Sequence, residues 1–277
     1  MAEPRSWLAR NKWLIARRSV QASIMALFLI GPYVGIWVLR GNLASSTLFG
    51  TISLTDPFIA LQSFAAGHTL ESAAIIGALT VAAFYLLFGG RSFCAWVCPI
   101  NPVTDGAAFL RRRFDIKSGY KIPRHIRLAL IPALLLVSYL VSDIAFEAIN
   151  PITMLHRGLL FGLGAGWILV AFVFVFDLFV VKHGWCGHIC PVGAFYGLLG
   201  KASPLKVSAT FRSQCTDCGD CFQVCPEPHV IAPALYPKDK ADTPVIENTD
   251  CISCGKCIDI CDDTVFTFTH RFQKVAD

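Results

Sequence analysis

Twelve cysteines carry the most recognisable chemistry of this chain of 277 residues. Eight of them form two runs with the spacing C-x2-C-x2-C-x3-C, beginning at Cys215 and at Cys251. This spacing is typical of bacterial ferredoxins with two [4Fe–4S] clusters, in which the fourth cysteine of each run ligates the other cluster. Zinc is the alternative metal, but two identical runs of this kind favour iron–sulfur ligation. The predicted ligand sets are Cys215, Cys218, Cys221 and Cys261 for one cluster, and Cys251, Cys254, Cys257 and Cys225 for the other.

The other four cysteines form two C-x3-C-P motifs, Cys94/Cys98 and Cys186/Cys190, each close behind an apolar segment. Proline disfavours helix in the residue before it, so we expect each second cysteine at a helix break. A proline at the first position of a following helix would place that cysteine at the N-cap, where the helix dipole favours the thiolate. Three interpretations stay open: the four thiolates ligate a third cluster or another metal, they are redox-active thiols, or they are small buried residues. Their duplication favours the third cluster.

The elements around these motifs have the composition of a membrane protein. Hydrophobic residues make up 55% of the chain, charged residues make up 16%, and the mean hydropathy is +0.56. Four apolar segments, near residues 20–39, 73–88, 126–146 and 159–181, are predicted to cross the lipid bilayer as helices. Residues 1–205 hold 17 Lys and Arg against 8 Asp and Glu, whereas residues 206–277 hold 7 against 11. We therefore predict a four-helix transmembrane domain over 1–205 and a small α+β two-[4Fe–4S] ferredoxin domain over 206–277.

The predicted membrane domain contains an internal repeat. "LTDPFIALQS" after the first apolar segment aligns with "AINPITMLHR" after the third, at an offset of 94 residues. "RSFCAWVCPINP" after the second aligns with "HGWCGHICPVGA" after the fourth, at an offset of 92 residues. Two matches at nearly the same offset indicate a duplicated helix pair. The two C-x3-C-P motifs would then face each other at one membrane boundary.

Basic residues predict the orientation in the membrane. They are concentrated before the first apolar segment and between the second and third, so the positive-inside rule places both termini in the cytoplasm. The basic stretch "LRRRFDIKSGYKIPRH" is best explained by contact with anionic lipid head groups. Nothing in the sequence supports binding to nucleic acid.

At this point the chain resembles the NapH/MauN-type membrane ferredoxins. The resemblance runs nearly end to end and includes "LTDPFIALQS", "FCAWVCPINPVTD", "HGWCGHICPVGA" and "CFQVCPEPH". It implies a multi-pass protein of the bacterial inner membrane that acts as a quinol dehydrogenase subunit. Together with a NapG-like periplasmic iron–sulfur partner, such a protein passes electrons from membrane quinol toward a periplasmic nitrate reductase. Because the chain has no C-x-x-C-H haem motif and no molybdopterin region, we do not expect it to reduce nitrate itself.

Two other functions stay open. The chain could supply electrons for the assembly or maintenance of another metalloenzyme, or it could be an anchor whose clusters only dock a partner. The predicted cytoplasmic clusters and the implied periplasmic acceptor also leave the electron's exit route undecided.

A quinol site needs a proton acceptor beside an apolar cleft near the membrane surface. Acids and histidines on the predicted periplasmic side qualify, although solvated loop positions explain most such residues equally well. A further acid, Asp177, lies inside the fourth apolar segment and is expected to pair with a basic residue. The quinol-site candidates are Asp56, His68, Glu71, Asp143, Glu147 and His156.

Overall fold

The computed structural model describes residues 6–116, 119–120, 122–162, 164–236 and 243–272. Contacts between residues divide the chain into two compact units. The first, which we call the cysteine-rich unit, comprises Met1–Val20, Tyr85–Trp96 and Tyr196–Asp277. The second, the helical unit, comprises Gln21–Phe84 and Val97–Phe195. The predicted boundary between residues 205 and 206 separates two domains that would each fold independently. The division into contact units does not test independent folding, so this boundary stays a prediction.

The cysteine-rich unit combines a two-stranded antiparallel ribbon with short helices. Strand Leu205–Ser208 pairs with strand Thr267–His270. Helices Asp220–Val224 and Lys256–Ile260 each follow a glycine in the left-handed conformation, Gly219 with a φ of 80° and Gly255 with a φ of 72°. The other short elements are the helices Trp7–Arg10, Ser92–Trp96 and Ala232–Leu235 and the 3-10 turns Gly200–Ala202, Arg212–Gln214 and Pro228–Val230.

Apolar side chains of the ribbon and the short helices form the core of this unit. Val207, Ile231 and Phe266 are almost completely buried, and Cys221 and Cys257 belong to the same core. Burial of a valine, isoleucine or phenylalanine side chain stabilises a fold by roughly 1.5–3 kcal/mol. The two cysteine runs are thus built into the core of the unit.

One helix among the described residues, Lys12–Val34, is long and apolar enough to cross a membrane, with 23 residues and a mean hydropathy of 1.4. Three shorter apolar helices, Ser72–Phe88, His125–Val141 and Gly166–Val180, overlap the other predicted spans. The fourth predicted span is interrupted after Phe161, where helix Pro151–Phe161 ends. The third predicted span ends early because Ser142 takes the left-handed conformation, and the 3-10 turn Ala145–Ile149 follows. The four-span arrangement stays a prediction.

The helical unit also contains a three-stranded antiparallel sheet that was not predicted. Its strands are Leu39–Gly41, Ser45–Leu48 and Ile52–Thr55, in that order. Phe49, Gly50 and Thr51 connect the last two strands, and the first two have a positive φ, as tight hairpin turns require. The sequence signal was the segment "STLFGTISLT", in which two β-favouring stretches flank a Phe-Gly turn.

Two equivalent helices in this unit share one capping arrangement. The Asp56 carboxylate accepts hydrogen bonds from the Phe58 and Ile59 amides at 2.8 and 3.1 Å, at the start of helix Pro57–Ala65. The Asn150 side chain accepts one from the Ile152 amide at 3.1 Å, at the start of helix Pro151–Phe161. These caps occupy aligned positions of the repeat. The remaining elements are helices Ile100–Arg113 and Pro191–Leu199 and the π-helical turns Phe176–Val180 and Trp185–Ile189.

Candidate metal centres and a candidate quinol site

The first predicted ligand set lines one cavity, which we call cavity 1. Helix Asp220–Val224 and the turn after Ile260 bring its cysteines together around an empty volume of about 350 Å³. Cys218 is exposed and Cys221 is buried, so cavity 1 has one solvent-facing side. Its cysteines are Cys215, Cys218, Cys221 and Cys261.

The second predicted set lines cavity 2, which has an empty volume of about 370 Å³. Cys254 and Cys257 are buried there. Its cysteines are Cys225, Cys251, Cys254 and Cys257. The fourth cysteine of each run therefore lines the cavity of the other run, as the ferredoxin spacing predicts. The ligand role of these thiols stays a prediction.

Burial changes the acidity of these thiols. Desolvation raises the pKa of Cys221 and of Cys251 to about 11. It also raises the pKa values of Cys225 and Cys257, where nearby thiolates add repulsion. At neutral pH such thiols stay protonated unless a strong positive charge lies beside them, and an iron–sulfur core supplies that charge. Four sulfur donors around each cavity fit a [4Fe–4S] cluster.

Polar groups differ around the two cavities. At cavity 1, the Tyr236 hydroxyl donates to the Asp217 carboxylate at 2.8 Å, which raises the Tyr236 pKa to about 12. The Thr216 hydroxyl donates to the Asp263 carboxylate at 2.7 Å. Asp217, Asp220 and Asp263 all line cavity 1, so acids surround its exposed side.

Near cavity 2 the prominent polar group is a buried cation. The Arg91 guanidinium is 2% exposed, donates to the Asp250 carbonyl at 2.7 Å and lies 3.5 Å from the Glu227 carboxylate. The ring of His229 lies 2.9 Å from the Asp250 carboxylate. Glu227, His229 and Asp250 have ligand atoms within 4.8 Å of one another. We interpret this group as an ion-pair network around Arg91.

The C-x3-C-P cysteines occupy both units. Cys94 belongs to the cysteine-rich unit and packs against a buried group of Ala95, Ile252 and Cys254. The other three belong to the helical unit, where the Cys186 sulfur lies 3.9 Å from the Thr104 hydroxyl. In that unit, Cys98 and Cys190 are 5% and 7% exposed. The hypothesis that all four hold a third cluster stays a prediction.

The two prolines of these motifs play different roles. Pro191 begins helix Pro191–Leu199, and the Cys190 carbonyl accepts from the Ala194 amide at 3.2 Å, as expected for a helix start. In the first motif, Pro99 is itself the N-cap of helix Ile100–Arg113. We expected Cys98 to be the N-cap of this helix, and that prediction was wrong by one residue.

Two family models of iron–sulfur domains match the segments that contain the twelve cysteines. One family model, described as a 4Fe-4S binding domain, matches residues 72–117 and again residues 163–210. A second, described as a 4Fe-4S dicluster domain, matches residues 210–262. Each match of the first model contains one C-x3-C-P motif, which supports the internal duplication.

Curated relatives with high sequence identity over most of the chain show its family. The ferredoxin-type protein NapH of Escherichia coli is 47% identical over 99% of this chain and 95% of its own length. The chain belongs to the NapH/MauN family. NapH of Haemophilus influenzae is 44% identical over 96% of this chain and 92% of its own length. The methylamine utilization ferredoxin-type protein MauN of Methylorubrum extorquens is 50% identical over 82% of this chain and 79% of its own length. No solved structure matches the chain.

In this NapH/MauN-family chain, five quinol-site candidates have ordinary surroundings. Asp56 caps a helix, while His68 and Glu71 are exposed. Asp143 is exposed beyond the end of helix His125–Val141, and its carboxylate accepts from the Ile144 amide at 2.6 Å. The Glu147 carboxylate accepts from the Asn150 side chain at 3.2 Å. None of these contacts indicates a ligand.

His156 differs from the other five candidates. It is 2% exposed, and its ring meets the Phe28 ring edge-on at a centroid distance of 4.9 Å. Neither ring nitrogen has a hydrogen-bond partner among the described residues. A buried polar atom without a hydrogen-bond partner lowers the stability of the fold, so its presence needs an explanation. A ligand that binds beside His156 would be one such explanation.

Gln62 occupies the position of His156 in the other repeat and was not predicted. It is fully buried, and its carbonyl accepts hydrogen bonds from the Ser138 hydroxyl at 3.4 Å and the Phe146 amide at 3.2 Å. Its amide nitrogen has no partner within the described ranges. The offset of 94 residues could have identified it.

Asp177 is also fully buried, in the π-helical turn Phe176–Val180. Its carboxylate accepts from the Trp185 amide at 2.9 Å. Arg111 lies close by and donates to the carbonyl of Leu178 at 2.9 Å. Arg111 is thus a basic residue beside Asp177, but the hydrogen bonds it donates here go to backbone carbonyls, so the expected pairing with the Asp177 carboxylate stays a prediction.

Proposed function

We propose that this NapH/MauN-family protein is the membrane electron-transfer subunit of a quinol dehydrogenase. The observation that carries this proposal is the pair of cavities, each lined by three cysteines of one run and the fourth cysteine of the other. When bound, [4Fe–4S] clusters take up and release one electron at a time. Cys215, Cys218, Cys221 and Cys261 would hold one cluster, and Cys225, Cys251, Cys254 and Cys257 the other.

The membrane half of the proposal is a duplicated helix pair with four spans and both termini in the cytoplasm. One helix of spanning length, three shorter apolar helices at the predicted positions and the repeated domain match support it. The C-x3-C-P cysteines lie in the two segments matched by the 4Fe-4S binding domain. This supports a role for Cys94, Cys98, Cys186 and Cys190 in holding a third cluster.

Quinol is the proposed electron donor, and His156 is the favoured contact for its head group. A buried imidazole with both nitrogens unpaired can accept a hydrogen bond from one quinol hydroxyl and take up its proton. The edge-on ring of Phe28 supplies an apolar wall beside it.

A periplasmic nitrate reductase, reached through a NapG-like iron–sulfur protein, is the proposed destination of the electrons. The two NapH relatives align over 99% and 96% of this chain, whereas the MauN relative aligns over 82%. The longer alignments favour the nitrate system over methylamine utilization. Supply of electrons for the assembly or maintenance of another metalloenzyme is the second candidate.

The test uses the full-length protein in lipid nanodiscs with a short-chain quinol and the NapG-like partner. We expect quinol to reduce the iron–sulfur centres, seen as loss of visible absorption and as new electron paramagnetic resonance (EPR) signals. His156→Ala should slow this reduction at least about tenfold, because a positioned general base contributes on the order of 100-fold or more. The matched control is His68→Ala, which removes an exposed histidine.

Two results would contradict the proposal. If quinol leaves the centres oxidised in the presence of the partner, the quinol dehydrogenase function is wrong. If quinol reduces the centres of His156→Ala as fast as those of the unmodified protein, the function stands and the assignment of His156 is wrong.

A further inference from the structure

We propose that the two ferredoxin sites act in a fixed order. The cavity 2 site lies next to Cys94 of the first C-x3-C-P motif, and the cavity 1 site is the outer site, which exchanges electrons with the motif through cavity 2. Electrons that enter or leave the two ferredoxin sites at Cys94 would pass first through the loop Cys251–Cys257. This inference rests on the proposed electron-transfer function and adds to it a route through named residues.

The first step of the argument is a direct contact between the motif and the loop. Ala95, Ile252 and Cys254 form a small buried group, and Cys94 and Trp96 pack against it. The Trp96 indole nitrogen donates to the Ser253 carbonyl at 3.0 Å. A cysteine of the motif and a cysteine of cavity 2 therefore share one packing group.

A second contact comes from Arg91, three residues before Cys94. Its guanidinium donates to the carbonyl of Asp250, next to Cys251, and pairs with Glu227, two residues after Cys225. Arg91 thus holds the chain on both sides of cavity 2. A buried cation there also favours the more negative, reduced state of a cluster.

Gly89 adds a third contact with the cavity 2 loop. It has a φ of 97°, and a Cβ atom built on it would lie 3.5 Å from the Ser253 hydroxyl oxygen. Gly90 packs elsewhere, since a Cβ atom on it would collide with the Tyr196 carbonyl and the backbone of Gly200. Residues at both ends of segment 89–96 therefore lie close to the cavity 2 loop.

The contacts of Arg91, Cys94 and Trp96 described above are with residues that line cavity 2 or lie next to them. Cavity 1 is lined by residues of the range 215–266. Its most exposed ligand candidate, Cys218, faces solvent beside Asp217 and Asp220. Because electron tunnelling slows steeply with distance, this arrangement makes cavity 1 the outer site.

The test separates the two sites by spectroscopy in the full-length protein. Cys218→Ala, which removes one exposed thiol from cavity 1, assigns the two EPR signals. Trp96→Phe removes the N–H donor to Ser253 but keeps an aromatic ring. Tyr236→Phe is the matched control, because it removes a hydroxyl that donates to Asp217 at cavity 1.

We expect Trp96→Phe to shift the EPR signal and midpoint potential of the cavity 2 site alone. Tyr236→Phe should shift only those of the cavity 1 site. After mixing with quinol and rapid freezing, the cavity 2 signal should appear first in the unmodified protein, and Trp96→Phe should delay it several-fold.

The proposed order is overturned if the cavity 1 signal appears first, or if Trp96→Phe leaves the cavity 2 signal unchanged. The two EPR shifts are measured after chemical reduction with dithionite, so they do not depend on quinol. If quinol reduces neither site, the quinol function fails while these shifts still test the contact between Trp96 and cavity 2.

Discussion

The two cysteine runs have the same spacing but different surroundings. Gly219 and Gly255 occupy equivalent positions, and both take the left-handed conformation. A Cβ atom on Gly219 would meet nothing within 4 Å, whereas one on Gly255 would lie 2.6 Å from the Trp13 ring. The spacing sets the number of ligands at each site, and residues from elsewhere in the chain set how enclosed that site is.

Residues distant in sequence cover the second run. The Trp13 ring meets the rings of Trp96 and Phe268 edge-on, at centroid distances of 6.1 and 4.5 Å. The Asp259 carboxylate accepts from the amides of Trp13 and Leu14 at 3.1 and 2.9 Å. The start of the helix Lys12–Val34 is therefore capped by a side chain of the second run.

The largest expected difference between the two runs is the rate at which their sites lose iron. Oxidation with ferricyanide in the presence of a chelator should destroy the cavity 1 site about tenfold faster than the cavity 2 site, because Cys218 is exposed and both Cys254 and Cys257 are buried. Loss of both sites should also unfold the cysteine-rich unit, since Cys221 and Cys257 belong to its core. The decay of the two EPR signals measures the rates, and equal rates would contradict the difference in enclosure.

An alanine at each equivalent glycine should give the next largest difference. Gly219→Ala should cost about 1 kcal/mol, the strain of a left-handed alanine. Gly255→Ala should cost about 3 kcal/mol, because the new methyl group also overlaps the Trp13 ring. Denaturant unfolding of the iron-loaded protein, followed by visible absorption, measures both costs. Equal costs would show that Trp13 does not pack on Gly255.

The sequence predicted what depends on short-range spacing. The cysteine sets of both cavities follow from C-x2-C-x2-C-x3-C, because three sulfurs within seven residues converge on one centre. The caps at Asp56 and Asn150 lie in the repeat that the sequence alignment identified. In these cases the partners are close in sequence, or the repeat relates them.

The covering residues could not be predicted in the same way. Trp13 and Asp259 are 246 residues apart in sequence. Trp13 belongs to no motif, and Asp259 lies between Cys257 and Cys261, where the spacing motif specifies no residue type. Arg91 is one of the basic residues between the second and third apolar segments, which served only to predict the orientation in the membrane. The structure instead buries it against Asp250 and Glu227. Contacts of this kind depend on tertiary packing, which a single sequence does not encode as a local pattern.

The smallest expected difference is between the stability costs of alanine substitutions at two acids near the end of the second run. Asp259→Ala should cost about 1–2 kcal/mol, because it leaves the amides of Trp13 and Leu14 without their acceptor. Asp262→Ala should cost at most about 0.5 kcal/mol, since its ion pair with Arg10 has side chains 48% and 56% exposed. Thermal unfolding monitored by cluster absorption compares the two variants at equal iron content. If Asp262→Ala is as costly as Asp259→Ala, the surface ion pair of Arg10 holds the N-terminal segment as strongly as the cap does, and the buried cap alone does not explain the enclosure of the second run.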